Sequence, residues 1–301
     1  MKFKFSPVLI GIAALYLPGQ TLASDLPDCQ EMAELGSTCL MEVKDLHPTQ
    51  FSVGSVAVDC KTKKIEKKHE KEKLEKYLAD ESRYIPAVVG PDGTFYITDH
   101  HHLSTAVYRA KEGDWVGKNQ KLHVSILMNF HETGISMEEF WNIMAMQKNV
   151  WPYDEKGEEV EDYGDKLSTM NMGDLKDNPY RTLSRWTRES CGYIKKGKEQ
   201  CLALLDKEAA EKLTAPYFLE FYWAKFLRNQ LGKDNSELDS PKKLMDDYPD
   251  AIQVTLSKKK TKAFFEAQGL NAENYGQNQE GDYFSLDFSK DACEEWHLEK
   301  D

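Results

Sequence analysis

Asp99-His100-His101-His102 gathers three of the chain's eight histidines behind one carboxylate. Imidazoles titrate near neutral pH and ligate metals, so this cluster can move a proton, bind a divalent cation or hold a phosphate. Further along, Arg181, Arg185 and Arg188 recur at i, i+4 and i+7. On a helix that spacing puts all three guanidiniums on one face, and the guanidinium fork matches phosphate oxygens. Only six arginines occur in the chain, and half of them are here. Together these groups suit chemistry at a phosphate ester. An imidazole among His100, His101 and His102 would serve as general acid or base, oriented by Asp99. Alternatively, His101 and His102 with Asp99 are candidate ligands for a divalent metal that activates water.

The elements around these residues decide whether they can act. Phe95, Ile97 and Asp99 alternate with Tyr96 and Thr98, the period of a strand. From Leu103 the apolar positions Leu103, Ala106, Val107 and Ala110 follow a helical period. The histidines therefore fall at a strand end and a helix start, where exposed N–H groups favour an anion. In a first helical turn, alanine in place of His101 or His102 is expected to change folding little. Gly90-Pro91-Asp92-Gly93 reads as the turn joining strand 85–89 to strand 94–98. Further strands are expected at 40–46, ending at the His47-Pro48-Thr49-Gln50 turn, at 53–58 and at 122–128. A loose lysine-rich loop at 61–70 leads into an amphipathic helix before 82. Asn178-Pro179 opens the arginine helix as N-cap and N1. Helices are expected at 136–149, 179–190, 199–212, 214–231, 240–248 and 259–268. The organisation is thus an α/β (α+β) domain over 40–135, a helical extension over 136–270, and an unassigned polar tail at 271–301.

Residues 1–24 read as a secretory signal: Lys2 and Lys4, an apolar run from Val8 to Leu17, then Thr21-Leu22-Ala23. Without them 37 basic and 51 acidic residues remain, so the net charge moves from −12 to −14. Such a balance argues against generic nucleic-acid binding, and no later segment is apolar enough to span a membrane. A periplasmic or secreted location follows. Six cysteines in an exported chain point to disulfides. Cys29 with Cys39, in the short segment 25–39, and Cys191 with Cys201 would close short loops, leaving Cys60 for Cys293. That is one of 15 possible connectivities. His47, His69 and His123 are lone histidines, with His123 expected to face away from the core. Trp141, Trp151, Trp186 and Trp223 read as interior anchors. Lys148, at a helix end, is a weak phosphate candidate.

The order of elements, with Glu42–Gln50, Pro86–Val89 and Tyr96–His102, resembles the ParB/sulfiredoxin-like fold. More narrowly, Asp-His-His-His followed by Asn178-Pro179-Tyr180-Arg181 and Phe221–Arg228 resembles the ParB-like nuclease family. The resemblance spans about 40–265 and implies a strand-to-helix turn that receives phosphate, here Asp99 to His102. The turn departs from the Gly-Glu-x-Arg of chromosome-partitioning members and lacks sulfiredoxin's cysteine. The DHH phosphoesterases share Asp-His-His, but their upstream His-x-x-x-Asp-x-Asp element is missing here. The implied activity is metal-assisted or histidine-catalysed cleavage or transfer at a phosphate ester, in a nucleotide or nucleic acid. The competing reading is a non-catalytic module that binds a phosphorylated ligand or a partner protein.

Overall fold

Five strands form one mixed sheet: β1 (Thr38–Glu42), β2 (Leu46–His47), β4 (Ile85–Val89), β5 (Phe95–Ile97) and β6 (Lys121–Asn129). Their order is β1-β6-β4-β5-β2. β4 and β5 are the expected hairpin, with Val89 opposite Phe95 and Ala87 opposite Ile97. β6 runs parallel to β4 and antiparallel to β1. This computed structural model describes residues 26–68, 70–111, 116–195, 199–205, 207–212, 218–231, 252–270 and 280–288. The signal segment, His69, the 240–248 helix and Cys293 lie outside them.

A short strand β3 (Ser52–Val53) ends at Gly54, and helix α1 (Ser55–Glu66) starts immediately. The expected extended piece at 53–58 and the loop at 61–70 are therefore corrected. The Val56-Ala57-Val58 run looked like a strand because both of its sides are buried. Val56 and Cys60, one turn apart, pack into the helical half, while Val58 and Ile65 pack into the sheet core. The Ser55 N–H donates to Asp177 Oδ1 at 2.8 Å, anchoring the helix start. Helix α2 (Lys71–Leu78) follows, and α3 (His101–Arg109) packs against α1. His123 is buried rather than turned outward, because Tyr84 stacks on its ring at 4.9 Å.

The second half is mainly helical. α4 (Met137–Met146) begins with a capping box between Ser136 and Glu139, which satisfies N–H groups a helix start leaves open. Next come α5 (Tyr163–Thr169), the short β7 (Lys176–Asp177) paired with β3, and α6 (Pro179–Glu189). The expected helix at 199–212 is two pieces, α7 (Glu199–Leu202) and α8 (Lys207–Lys212). α9 (Leu219–Leu231) packs along α6, and an aromatic core of Trp223, Phe226, Phe265 and Phe284 fills the space beside them. All four tryptophans expected inside are buried. Near the C-terminus, β8 (Ile252–Ser257) pairs antiparallel with β9 (Tyr283–Phe288), flanking α10 (Lys258–Ala267). That hairpin gives structure to part of a tail the sequence left unassigned.

Cys29–Cys39 and Cys191–Cys201 are disulfides, as expected, and Cys60 is disulfide-bonded as well. Thiol titration of the denatured, unreduced mature protein should therefore give no free thiol. Two or more free thiols would contradict these bonds.

Candidate functional site

Three helices begin around one cavity of about 220 Å³. α3 contributes His101 and His102, with Thr98 and Asp99 before them; α6 contributes Arg181 from its first turn. α9 contributes Glu220 and Phe221, with Phe218 just before it. The first N–H groups of a helix lack intrahelical partners, and the helix dipole puts partial positive charge there. In α3 no side chain caps them: the N-cap is His100, in the left-handed region at φ 60°. Asp99 does not cap the helix either; its Oδ1 accepts the His100 N–H at 2.6 Å. A non-glycine residue held this way carries strain on the order of 1 kcal/mol.

The two imidazoles are fixed by backbone donors. His101 Nε2 accepts the Thr49 N–H at 3.1 Å, and His102 Nε2 accepts the Gly54 N–H at 3.1 Å. A Cβ on Gly54 would lie 2.7 Å from Thr182 Oγ1 and 3.0 Å from its backbone nitrogen, so only glycine brings that N–H so close to α6. With Nε2 accepting, each neutral ring carries its proton on Nδ1 and is there a donor only. Burial lowers both rings' affinity for a second proton. His101 is pushed down to about 3, and His102 falls well below its ordinary value, helped by Arg181 and Arg185. The general-base role expected of these two rings does not fit this arrangement. Nor does metal ligation, because each Nε2 lone pair is already engaged. Among the described residues no three His, Cys, Asp or Glu side chains converge to hold a cation. His101 is also buried, 3% exposed, so its truncation is no minor first-turn change. His100 does not line the cavity; burial lowers its proton affinity, partly countered by Asp99.

The arginines divide. Arg185 pairs with Glu189 at 3.0 Å, and Arg188 pairs with Glu189 and with Glu220. Arg181 alone of the three lines the cavity, its guanidinium 5.3 Å over the Phe221 ring. Its Nε is buried without a hydrogen-bond partner among the described residues. Glu220, 6% exposed, takes both Arg188 Nη1 at 3.0 Å and Lys195 Nζ at 2.9 Å on the same oxygen. Burial pushes its carboxyl up, yet Arg181, Lys195 and Arg188 outweigh that and hold it below the usual range. Four cations, Arg181, Arg185, Arg188 and Lys195, thus face three carboxylates, Glu189, Glu220 and Asp99, a local positive surplus within an acidic chain.

Lys195 and Glu220 were not among the residues the sequence singled out. A carboxylate inside Phe218-Leu219-Glu220-Phe221 was a usable signal, since buried charge needs a partner. Lys195 carried none. It arrives because Cys191, left-handed at φ 56°, turns the chain after α6. Tyr193 then stacks on Trp223 at 4.8 Å, and the Cys191–Cys201 bond closes the loop. His47 sits half-buried beside Tyr96, outside the cavity lining, as does Lys148.

The family described as "Putative ParB-like nuclease" matches residues 39–229, which carry every residue lining the cavity. No protein of curated function matches the chain. Among solved structures, the crystal structure of protein Atu1540 from Agrobacterium tumefaciens aligns at 26% identity. The alignment covers 66% of this chain and 82% of that one, with a TM-score of 0.49.

Proposed function

Because the chain belongs to the ParB-like nuclease family, we propose that its cavity binds the phosphate of a phosphoester and that the protein cleaves or transfers at that phosphate. The observation that carries this reading is the meeting of three helix starts around Arg181, whose buried Nε has no partner among the described residues. A phosphate there would accept from Arg181, from the imidazole Nδ1–H groups and from the uncapped N–H groups of α3. Those donors stabilise charge that builds on the phosphoryl oxygens during reaction. Among the lining residues Asp99 is the carboxylate outside any ion pair, exposed at the rim, and it takes the role of base toward an attacking water. The cavity admits a phosphate with part of the group it esterifies, not a duplex. The signal-like sequence at 1–24 and the disulfides support action outside the cytoplasm.

A second reading, a phosphate-binding module without turnover, is favoured by one observation: both Nε2 lone pairs are engaged. One experiment separates the two. Inorganic phosphate at millimolar concentration should raise the melting temperature, and a panel of chromogenic phosphomonoesters and diesters should reveal turnover. Asp99→Asn should then lower that turnover at least about 10²-fold, as loss of a general base does, with phosphate stabilisation kept. Stabilisation without turnover of any ester would favour the binding module. No stabilisation at all would remove the anion site.

A further inference from the structure

We propose that the Cys191–Cys201 disulfide puts the anion site under redox control: intact, it holds Lys195 in the cavity, and its reduction withdraws that cation and weakens phosphate binding; this rests on the phosphate-binding reading above. Lys195 lines the cavity and donates to Glu220 Oε1 at 2.9 Å. An ammonium carries three donors, so those not spent on Glu220 can meet a phosphate oxygen. Two anchors set its place. Tyr193 is buried against Trp223. Ile194, next to Lys195, belongs to a small separate core with Cys191, Cys201, Leu202 and Leu205. Cys201 sits on α7 (Glu199–Leu202), a single turn, and so short a helix does not persist without tertiary support. The disulfide ties that turn back to the end of α6 and keeps Ile194 covered. It also helps enforce the left-handed backbone of Cys191 at φ 56°, since a non-glycine residue stays there only when its surroundings over-determine it. With the bond cut, the turn relaxes and Lys195 leaves Glu220. The cavity then loses a cation, and Glu220, paired with Arg188, turns more of its negative charge on the anion. A small dithiol is the reductant: its two thiols close into a disulfide, and two electrons and two protons pass to Cys191 and Cys201. Cys191 is partly exposed, so an attacking thiolate can reach its sulfur. Cys29–Cys39, by contrast, packs on the sheet core, and neither of its cysteines lines the cavity.

The test equilibrates the mature protein in dithiothreitol redox buffers, with and without saturating inorganic phosphate, then traps the thiols and assigns them to each disulfide by mass spectrometry. Reduction that weakens phosphate binding about tenfold requires, by linkage, that phosphate make Cys191–Cys201 about tenfold harder to reduce. For two electrons that is a shift of about 30 mV. Cys29–Cys39 should not shift. Lys195→Gln should bind phosphate about tenfold more weakly by calorimetry, and phosphate should no longer protect its Cys191–Cys201 bond. Cys191→Ser combined with Cys201→Ser should match Lys195→Gln in phosphate affinity, and adding Lys195→Gln to that pair should cost nothing further. The redox measurement on the wild type decides the matter even where the serine variant does not fold. Equal protection of both disulfides would overturn the proposal, because phosphate would then be stabilising the whole fold rather than this loop. No protection of Cys191–Cys201, or normal phosphate binding by Lys195→Gln, would overturn it too and leave the phosphate site standing. Failure of phosphate to raise the melting temperature would instead overturn the phosphate-binding reading beneath it.

Discussion

Arg181→Ala should lower phosphate affinity at least about thirtyfold while lowering the melting temperature only modestly. Truncating a buried charge that meets an oppositely charged ligand typically costs about 2–5 kcal/mol of binding, hence the factor. Stability falls less because Glu220 keeps Arg188 at 3.0 Å and Lys195 at 2.9 Å without Arg181, although it loses a cation that helps hold its buried carboxyl ionised. Part of that loss is offset because the change removes a buried Nε that no group among the described residues satisfies, and an unsatisfied buried donor is itself destabilising. Arg185→Ala is the control: that side chain is occupied by Glu189, and its loss should alter phosphate affinity only weakly. Equal losses from the two substitutions would mean that the field of the whole helix, rather than Arg181, attracts the anion. An Arg181→Ala protein that binds phosphate normally would take this residue out of the site.

Between pH 7 and pH 5 the protein should lose about 2 kcal/mol of stability through His101 alone. The folded form holds this ring's pKa at about 3, chiefly through burial, whereas an unfolded histidine titrates near 6.5. Across that window the unfolded chain binds a proton and the folded one does not. Stability is therefore full above about pH 6.5 and falls as acid is added, until the folded pKa is reached. His47, His100, His102 and His123 are shifted in the same direction, each mainly by burial, and so add to the slope. A drop of roughly 4–8 °C in melting temperature is the expected size for 2 kcal/mol. Carboxylates contribute little before pH 5, which separates this effect from general acid denaturation. His101→Gln supplies an acceptor for the Thr49 N–H without a titrating group, and its stability curve should be flatter over the same window. If wild-type stability were constant from pH 7 to pH 5, the neutral, acceptor-bound state of His101 would be wrong.

Where local rules act alone, the sequence was readable. The Gly90–Gly93 turn, the change of period after Asp99 and the Asn178-Pro179 start place β4, β5, α3 and α6 within a residue or two. What escaped depended on partners far away in the chain. Val56 and Val58 mimic a strand because two different cores claim alternate sides of α1. Ile252, Val254 and Leu256 alternate with polar residues, but their partners Phe284, Leu286 and Phe288 lie across an intervening helix. Within the site, the residue types were legible and their roles were not. Nothing in His101-His102 says that Thr49 and Gly54 will present N–H groups to the rings. Nothing in the arginine spacing says that Glu189 and Glu220 will occupy two of the three.

Thr49 is bonded in two directions. Its N–H reaches the His101 ring, and its carbonyl accepts the Trp151 N–H at 2.9 Å. The imidazole on one side of the cavity and the backbone that carries the Trp151 indole behind the other are therefore joined through a single residue. A ligand that tilts the ring pulls on the Trp151 backbone, and a shift of that backbone acts on the ring in return. The two ends of a bound molecule would feel each other through this linkage, and binding energies measured separately for each end should not sum to that of the whole.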